Sequence, residues 1–249
     1  MRSAFQILKD TFSRIFSSPK VFLSIIALPA LIAVGISVIE PETDIAGNFM
    51  WDSSMNGMHE VLYYVAIFLS IVANMYMTVA IVFAVSNKEL TAIEAYKFSF
   101  TKIFAYFVLT VVTLIILMLA TLLLIIPGIW LSISFLFAMY FLILRNAGVT
   151  DSLKMSFALV RGRWWKVFGK ILMFGLFFII LIISIDIVLW VVGSAVGDVF
   201  TYAIELVLEV LLALVAVIFT YELFNDLEKT KDTGVIDTAV TNPLATLSV

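Results

Sequence analysis

Six long runs of apolar residues alternate along the chain with short polar segments. A helix that crosses the hydrocarbon core of a bilayer needs about 20 apolar residues. The pattern therefore predicts six transmembrane helices, at residues 21–39, 61–85, 103–126, 129–144, 168–192 and 199–223. Only Pro127-Gly128 separates the third run from the fourth, and we expect this dipeptide to end one helix and turn the chain.

Three shorter segments carry apolar residues at helical spacing, each directly before an odd-numbered span. They cover residues 4–17, 90–100 and 151–163. Each contains an apolar residue, Lys, any residue, a hydroxyl residue and Phe in succession, at residues 8–12, 96–100 and 153–157. This echo predicts an internal repeat of one surface helix plus one transmembrane hairpin, although short patterns also recur by chance.

The composition agrees with a bilayer environment. Hydrophobic residues make up 63% of the 249 residues and charged residues only 13%. Soluble domains have about 45–50% apolar and about 25% charged residues, so a water-soluble core cannot absorb this excess. The chain has no cysteine, which excludes disulfides and thiolate metal sites.

The charges predict the orientation of the chain. All 15 Lys and Arg residues fall on one side of the predicted spans. The connections on the other side contain no cation and carry Glu40, Glu42, Asp44, Asp52, Glu60 and Asp198. By the positive-inside rule, both termini and the basic loops are predicted to lie on the cytoplasmic side of the cytoplasmic (inner) membrane.

These patterns together predict an all-α, polytopic integral membrane protein. Its six transmembrane helices are expected to form three repeats of a cytoplasmic amphipathic helix plus a transmembrane hairpin, at about residues 1–60, 88–146 and 149–226. We expect a single domain over residues 1–228, followed by a disordered cytoplasmic tail at 229–249.

The segment between the fourth and fifth spans is both basic and aromatic. One face of its predicted helix carries Leu153, Phe157, Val160 and Trp164. The cations project elsewhere and are Lys154, Arg161, Arg163 and Lys166. Such a helix is typical of the headgroup plane, with its aromatic face toward the lipid and its cations on anionic lipid phosphates. We therefore expect anionic membrane lipids as partners, and no nucleic acid.

Residues 127–169 carry a family resemblance. Pro127-Gly128 opens a span, a Ser- and Phe-containing surface helix follows, and Arg161-Gly162 precedes aromatic residues that lead into the next span. This arrangement resembles the membrane-domain family found beside glycerophosphoryl diester phosphodiesterases, and related uncharacterised prokaryotic inner-membrane proteins. The resemblance implies a six-span architecture and names no chemistry, because the chain contains no phosphodiesterase domain.

Three carboxylates lie within the predicted spans: Asp186, Glu205 and Glu209. A charge at the centre of a bilayer costs about 2.5–3.5 kcal/mol or more. Asp186 and Glu205 lie about 10 Å below the same membrane surface on neighbouring helices, and Glu209 lies about one turn deeper. No Lys or Arg reaches this depth, so we expect the three to face the protein interior and one of them to hold a proton near neutral pH.

This acidic cluster has two interpretations. It is either an outward-facing vestibule that binds protons or cations, or a set of carboxyl groups that link helices by hydrogen bonds or line a water-filled crevice. The first interpretation predicts a small transporter or channel subunit.

The sequence contains no set of residues that predicts catalysis. It has one histidine and no cysteine, so it forms no catalytic triad and no zinc site, and no glycine-rich phosphate loop is present. We expect no cofactor, no metal and no enzymatic activity. The favoured function is a non-catalytic membrane protein that organises lipids or partner proteins through its cytoplasmic helices. The alternatives are the transporter and, from the family name alone, a membrane enzyme acting on lipid headgroups.

Overall fold

A computed structural model describes residues 1–39, 42–43, 49–50, 57–87, 91–196 and 198–230. Over these residues the chain is helical apart from two short strands, β1 (Glu42–Thr43) and β2 (Phe49–Met50), which pair antiparallel. The helices in chain order are α1 (Ala4–Ser17), α2 (Pro19–Ile39), α3 (Met58–Ser86), α4 (Ala92–Leu123), α5 (Ile125–Phe135), α6 (Ala138–Leu144), α7 (Val149–Val160), α8 (Trp164–Val196) and α9 (Asp198–Thr230).

Six helical stretches are long and apolar enough to cross a membrane. They are Pro19–Ile36, Glu60–Ser86, Ala92–Leu123, Ile125–Leu144, Trp164–Leu189 and Ala203–Thr230. The fourth stretch consists of two helices, α5 and α6. The prediction of an all-α chain with six such stretches is confirmed, and the protein is a multi-pass membrane protein by this criterion.

The segment predicted as a separate surface helix at residues 90–100 is instead part of a longer helix. From Ala92 onward it continues without interruption into the third span as α4. The other two surface segments do end before their spans, at Ser18-Pro19 and at Arg161-Gly162-Arg163, where Gly162 has φ 81°. The difference has a local cause, because α4 contains no glycine or proline that would interrupt it.

The turn between the third and fourth spans lies three residues earlier than Pro127. Leu124 has an extended backbone, with φ −161° and ψ 139°, and separates α4 from α5. Pro127 therefore lies in the first turn of α5, where its missing N–H removes no helical hydrogen bond. A Cβ on Gly128 would come within 2.3 Å of the Thr121 hydroxyl oxygen, so this close approach of the two helices requires glycine.

The end of α9 also differs from the sequence prediction. The helix continues to Thr230, so residues 229 and 230 of the predicted tail are helical. Residues 231–249 lie outside the described residues.

The chain groups into two compact units, and the single domain over residues 1–228 stays a prediction. Among the described residues, the first unit comprises Met1–Arg14, Phe104–Gly175 and residues 218–230, and the second comprises Ile15–Ile103 and Leu176–Val217. The core of the first unit is aromatic. Phe224 of α9 stacks on Tyr140 with ring centroids 5.2 Å apart and meets Phe141 edge-on at 5.1 Å. All three side chains are almost inaccessible to solvent.

A serine of α7 bridges the break between α5 and α6 in the first unit. At this break the backbone N–H of Phe137 donates to the Ser156 hydroxyl oxygen at 3.1 Å. The Ser156 hydroxyl in turn donates to the Ser134 carbonyl at 2.7 Å. Ser156 is fully buried, and these two bonds satisfy backbone groups that the helix break would otherwise leave unpaired.

In the second unit, α2 packs along α3, and Pro29 lies inside α2. Proline has no N–H, so the helix supplies no hydrogen bond to the carbonyl four residues earlier, that of Ile25. The hydroxyl of Tyr96 donates to this Ile25 carbonyl. Ile25 is fully buried, so Tyr96 satisfies a carbonyl that water cannot reach.

We expect Tyr96→Phe to lower the free energy of unfolding by about 1–3 kcal/mol, because it leaves the buried Ile25 carbonyl without a donor. Unfolding in detergent micelles measures this loss. In a Pro29→Ala protein the restored N–H can reach the Ile25 carbonyl, so Tyr96→Phe should then cost much less. An equal cost in both proteins would show that the tyrosine does not compensate for the proline.

Candidate functional site

The structure brings the three predicted carboxylates to one cavity within the second unit. Asp186 of α8 and Glu205 and Glu209 of α9 line a cavity of about 250 Å³. Its remaining wall is apolar and consists of Ile182, Ile185, Leu208 and Leu212. No Lys or Arg is among these lining residues, so the cavity has an acidic lining inside two membrane-spanning stretches.

The exposure of these carboxylates differs from the expectation that they face the interior. Glu205 is half-buried, but Asp186 and Glu209 are exposed on their helices. The interior location is therefore wrong for Asp186 and Glu209. An ionisable group on an exposed face of a spanning helix is costly in hydrocarbon if it is charged.

The four predicted lipid-contacting cations have different environments. Lys154 is exposed, with its ammonium 3.9 Å from Asp151, and Arg161 and Lys166 are also exposed. Arg163 is half-buried, and its guanidinium donates to the Thr230 hydroxyl at 2.7 Å and to the Leu227 carbonyl at 3.4 Å. Arg163 therefore binds the end of α9, and three of the four cations have exposed side chains.

The apolar face of α7 packs on protein. Leu153 and Val160 are buried, and α7 contacts α5 and α6. Phe157 meets Trp130 of α5 edge-on at 5.1 Å, and the indole N–H of Trp164 donates to the Trp130 carbonyl at 3.1 Å. The expectation that this face lies toward lipid is wrong, because α5 and α6 cover it.

A cluster of charges around two buried carboxylates lies in the first unit, and the sequence prediction missed it. We call it the ion-pair cluster, and it consists of Arg2, Asp10, Arg14, Lys170, Glu222 and Asp226. The two carboxylates of α9 are its centre, since Glu222 is 4% exposed and Asp226 is 5% exposed. Three cations balance three carboxylates, so the cluster is neutral overall.

Each buried carboxylate of the ion-pair cluster has more than one donor. Glu222 accepts from Arg14 at 2.7 Å and from Arg2 at 3.3 Å. Asp226 accepts from Lys170 at 3.1 Å and from the backbone N–H of Arg2 at 3.1 Å. Such charge-assisted bonds offset the desolvation of the carboxylates and fix the N-terminal segment against α9.

Arg2 is the shared partner of this cluster. Its guanidinium contacts Asp10 and Glu222 and lies 3.4 Å from Asp226. Burial opposes its charge, but the hydrogen bonds and negative charges of Glu222 and Asp10 outweigh this effect and raise the pKa of Arg2. Arg2 therefore stays charged at every physiological pH.

A groove lies beside the ion-pair cluster in the same unit, and we call it the basic groove. Its volume is about 560 Å³, within the range of about 300–1,000 Å³ that is usual for small-molecule sites. One wall is the N-terminal segment, with Met1, Arg2 and Ala4. The other is the start of α8, with Trp165, Lys166, Gly169, Lys170 and Met173.

The comparisons with known proteins give no family. No protein-family model matches this chain, and no curated protein or solved structure matches it. The resemblance of residues 127–169 to the phosphodiesterase-associated membrane family therefore stays a prediction. The described residues also contain no group of three or more histidines and carboxylates placed to hold a metal ion.

One sequence signal pointed to the ion-pair cluster. Glu222 and Asp226 are four residues apart and so share one face of α9. Glu222 also lies inside the predicted sixth span, where a carboxylate needs a partner. The identity of that partner was not readable, because Arg2 and Arg14 are about two hundred residues away in sequence.

Proposed function

We propose that this protein is a non-catalytic, multi-pass protein of the cytoplasmic membrane that organises anionic lipids, or partner proteins, through its basic side. Both termini and the basic loops lie in the cytoplasm in this proposal, as the distribution of Lys and Arg favours. The resemblance to a membrane-domain family without chemistry of its own agrees with this role.

One observation carries the proposal: Glu222 and Asp226 on the basic side are buried and paired, while exposed cations outnumber exposed carboxylates among the described residues of that side. Glu222 and Asp226 lie within the neutral ion-pair cluster. Arg161 and Lys166 are exposed, and their side chains have no carboxylate partner among the described residues. The surface that remains accessible is therefore positive, and anionic phospholipid headgroups are its complement.

Exposed aromatic residues in or beside the three surface segments support the same proposal. Phe5, Phe16, Phe100 and Trp165 are each more than 70% exposed. Phenylalanine and tryptophan in such positions are favourable in the interfacial region of a bilayer, where an apolar ring meets the acyl chains below the headgroups.

The internal repeat is part of this proposal and has support in the burial pattern. The hydroxyl residue of each echoed pattern is fully buried, and so is the residue four positions earlier: Ile7 and Thr11, Ala95 and Ser99, and Ser152 and Ser156. In the first two repeats the hydroxyl donates to the carbonyl four residues earlier. The same two positions therefore make the buried contact in each surface segment.

We expect loss of two exposed cations to weaken the preference for anionic lipid. Each Lys or Arg near an anionic membrane contributes about 1 kcal/mol, so Lys154→Gln with Arg161→Gln should lower selectivity for phosphatidylglycerol over phosphatidylcholine by roughly 30-fold. Competition with a labelled lipid in nanodiscs of mixed composition measures this selectivity. The charge-conserving pair Lys154→Arg and Arg161→Lys is the matched control and should change little. Unchanged selectivity in the glutamine variant would contradict a lipid-organising role.

The acidic cavity favours a second candidate function, that of a transporter or channel subunit. Asp186, Glu205 and Glu209 share one cavity within the spans, and none of its lining residues is a cation. Such an arrangement suits a proton or a small cation. Cation-coupled flux into proteoliposomes that disappears in Asp186→Asn with Glu205→Gln would favour this candidate over the first.

A further inference from the structure

We infer that the basic groove binds one anionic phospholipid, with the phosphate beside Lys166 and an acyl chain along Gly169 and Met173. This inference rests on the proposed lipid-organising role and makes it specific. Beyond a general attraction of anionic headgroups to the basic side, it assigns one lipid to one site with defined residues.

The charge of the groove matches one phosphodiester. Arg2 and Lys170 line it, but both belong to the neutral ion-pair cluster. Lys166 therefore supplies the one uncompensated side-chain charge among the described lining residues, and a phosphodiester carries one negative charge. The Lys170 ammonium has three N–H groups and uses one on Asp226, so it can also donate to a phosphate oxygen.

The position of the groove suits a lipid better than a soluble anion. Trp165, Gly169 and Met173 follow one another at spacings of four residues, so they form one row along α8. This row extends about 12 Å from the headgroup level toward the hydrocarbon, at about 1.5 Å per residue. Trp165 is 77% exposed and Met173 52% exposed, so the row offers apolar contact below the cations. A free phosphate ion has no apolar part that could contact this surface.

Gly169 leaves the space that an acyl chain would take. It lies inside α8 near the start of the helix, where glycine lowers helix stability, yet no neighbouring side chain or other part of the chain lies within 4 Å of a Cβ built on it. A large side chain at this position would enter the groove. Gly175 of the same helix has equally open surroundings and does not line the groove, which makes it a matched control.

The test compares Gly169→Phe with Gly175→Phe. Each protein is purified, and lipid that stays bound is counted by native mass spectrometry in detergent that contains phosphatidylglycerol. We expect the unmodified protein and Gly175→Phe to retain one phospholipid, and Gly169→Phe to retain at least tenfold less. Lys166→Gln should reduce retention by about fivefold, as expected for loss of one cation at an anionic surface. Retention of the lipid by correctly folded Gly169→Phe overturns the inference.

Two further arms separate the inference from its alternatives. Inorganic phosphate or glycerol 3-phosphate that displaces the lipid at millimolar concentration would overturn the lipid assignment in favour of a soluble phosphate. If Gly169→Phe does not fold, Lys166→Gln decides, because it changes only an exposed side chain. Undiminished retention of the lipid by Lys166→Gln then overturns the site.

The experiments distinguish failure of the single lipid site from failure of the proposed lipid-organising function. A variant that loses the single bound lipid should keep the preference for phosphatidylglycerol that depends on Lys154 and Arg161. A variant that loses only this preference should still retain the lipid in the basic groove.

Discussion

Replacing Arg2 by Met is expected to lower the free energy of unfolding by about 1.5–3 kcal/mol, because it removes charge-assisted hydrogen bonds from two buried carboxylates. Arg2 contacts both buried carboxylates of α9, Glu222 and Asp226. Without its charge the ion-pair cluster changes from neutral to a net charge of −1, and Glu222 and Asp226 keep only Arg14 and Lys170 as cation partners. Chemical or thermal unfolding in detergent micelles measures the loss.

Two controls separate this effect from a general sensitivity of the N-terminal segment. Lys9→Met removes an exposed cation of α1 that has no carboxylate partner among the described residues, so it should change stability by no more than about 0.5 kcal/mol. Glu222→Gln added to Arg2→Met removes the uncompensated charge and should restore part of the stability. If the second substitution makes the protein less stable still, the cluster does not act as an electrostatic unit.

The spans were predictable because a bilayer imposes one strong requirement on sequence. Any helix that crosses it needs about 20 apolar residues without interruption, and a run of that kind is visible without knowledge of tertiary contacts. The breaks were also readable where a local signal existed, as at Pro19 and Gly162. In the second repeat no such signal exists, and α4 is accordingly continuous from Ala92 to Leu123.

The environment of an apolar face was not predictable from its spacing. Leu153, Phe157 and Val160 recur as they would on a helix at a membrane surface, yet they lie against the protein. Lipid and protein interior are both apolar, so periodicity shows that a face avoids water and does not show which apolar partner covers it. The contact with Trp130 depends on the fold of α5, which no local pattern encodes.

The two acidic sites illustrate the same limit. Asp186 and Glu205 were expected to be close, because a short connection joins antiparallel helices and fixes their relative depth. The structure brings both to one cavity. The rotation of each helix about its axis is set by packing, however, and so the exposure of Asp186 and Glu209 could not be derived. For Glu222 and Asp226 the spacing was readable, and the partners required the tertiary structure.

A lysine introduced into the acidic cavity is expected to be tolerated, whereas the same residue one position away is not. Ile182 lines the cavity and lies four residues before Asp186 on one face of α8. Ile183 is 53% exposed and does not line the cavity, at a depth that differs by only about 1.5 Å. A lysine within a span costs about 2.5–3.5 kcal/mol. At position 182 the nearby carboxylates offset this cost, so Ile183→Lys should destabilise the protein by about 2–3 kcal/mol more than Ile182→Lys.

Unfolding of both variants in lipid bicelles, where the cost of a charge in hydrocarbon is retained, measures this difference. Adding Asp186→Asn, Glu205→Gln and Glu209→Gln to each variant supplies the control. The difference should then disappear, because the amides keep the shape of the cavity and carry no charge. Equal destabilisation by Ile182→Lys and Ile183→Lys, with all carboxylates present, would show that the cavity has no attraction for a cation. The transporter function would lose its support in that case, while a scaffold with hydrogen-bonded, uncharged carboxyl groups would remain consistent with the same cavity.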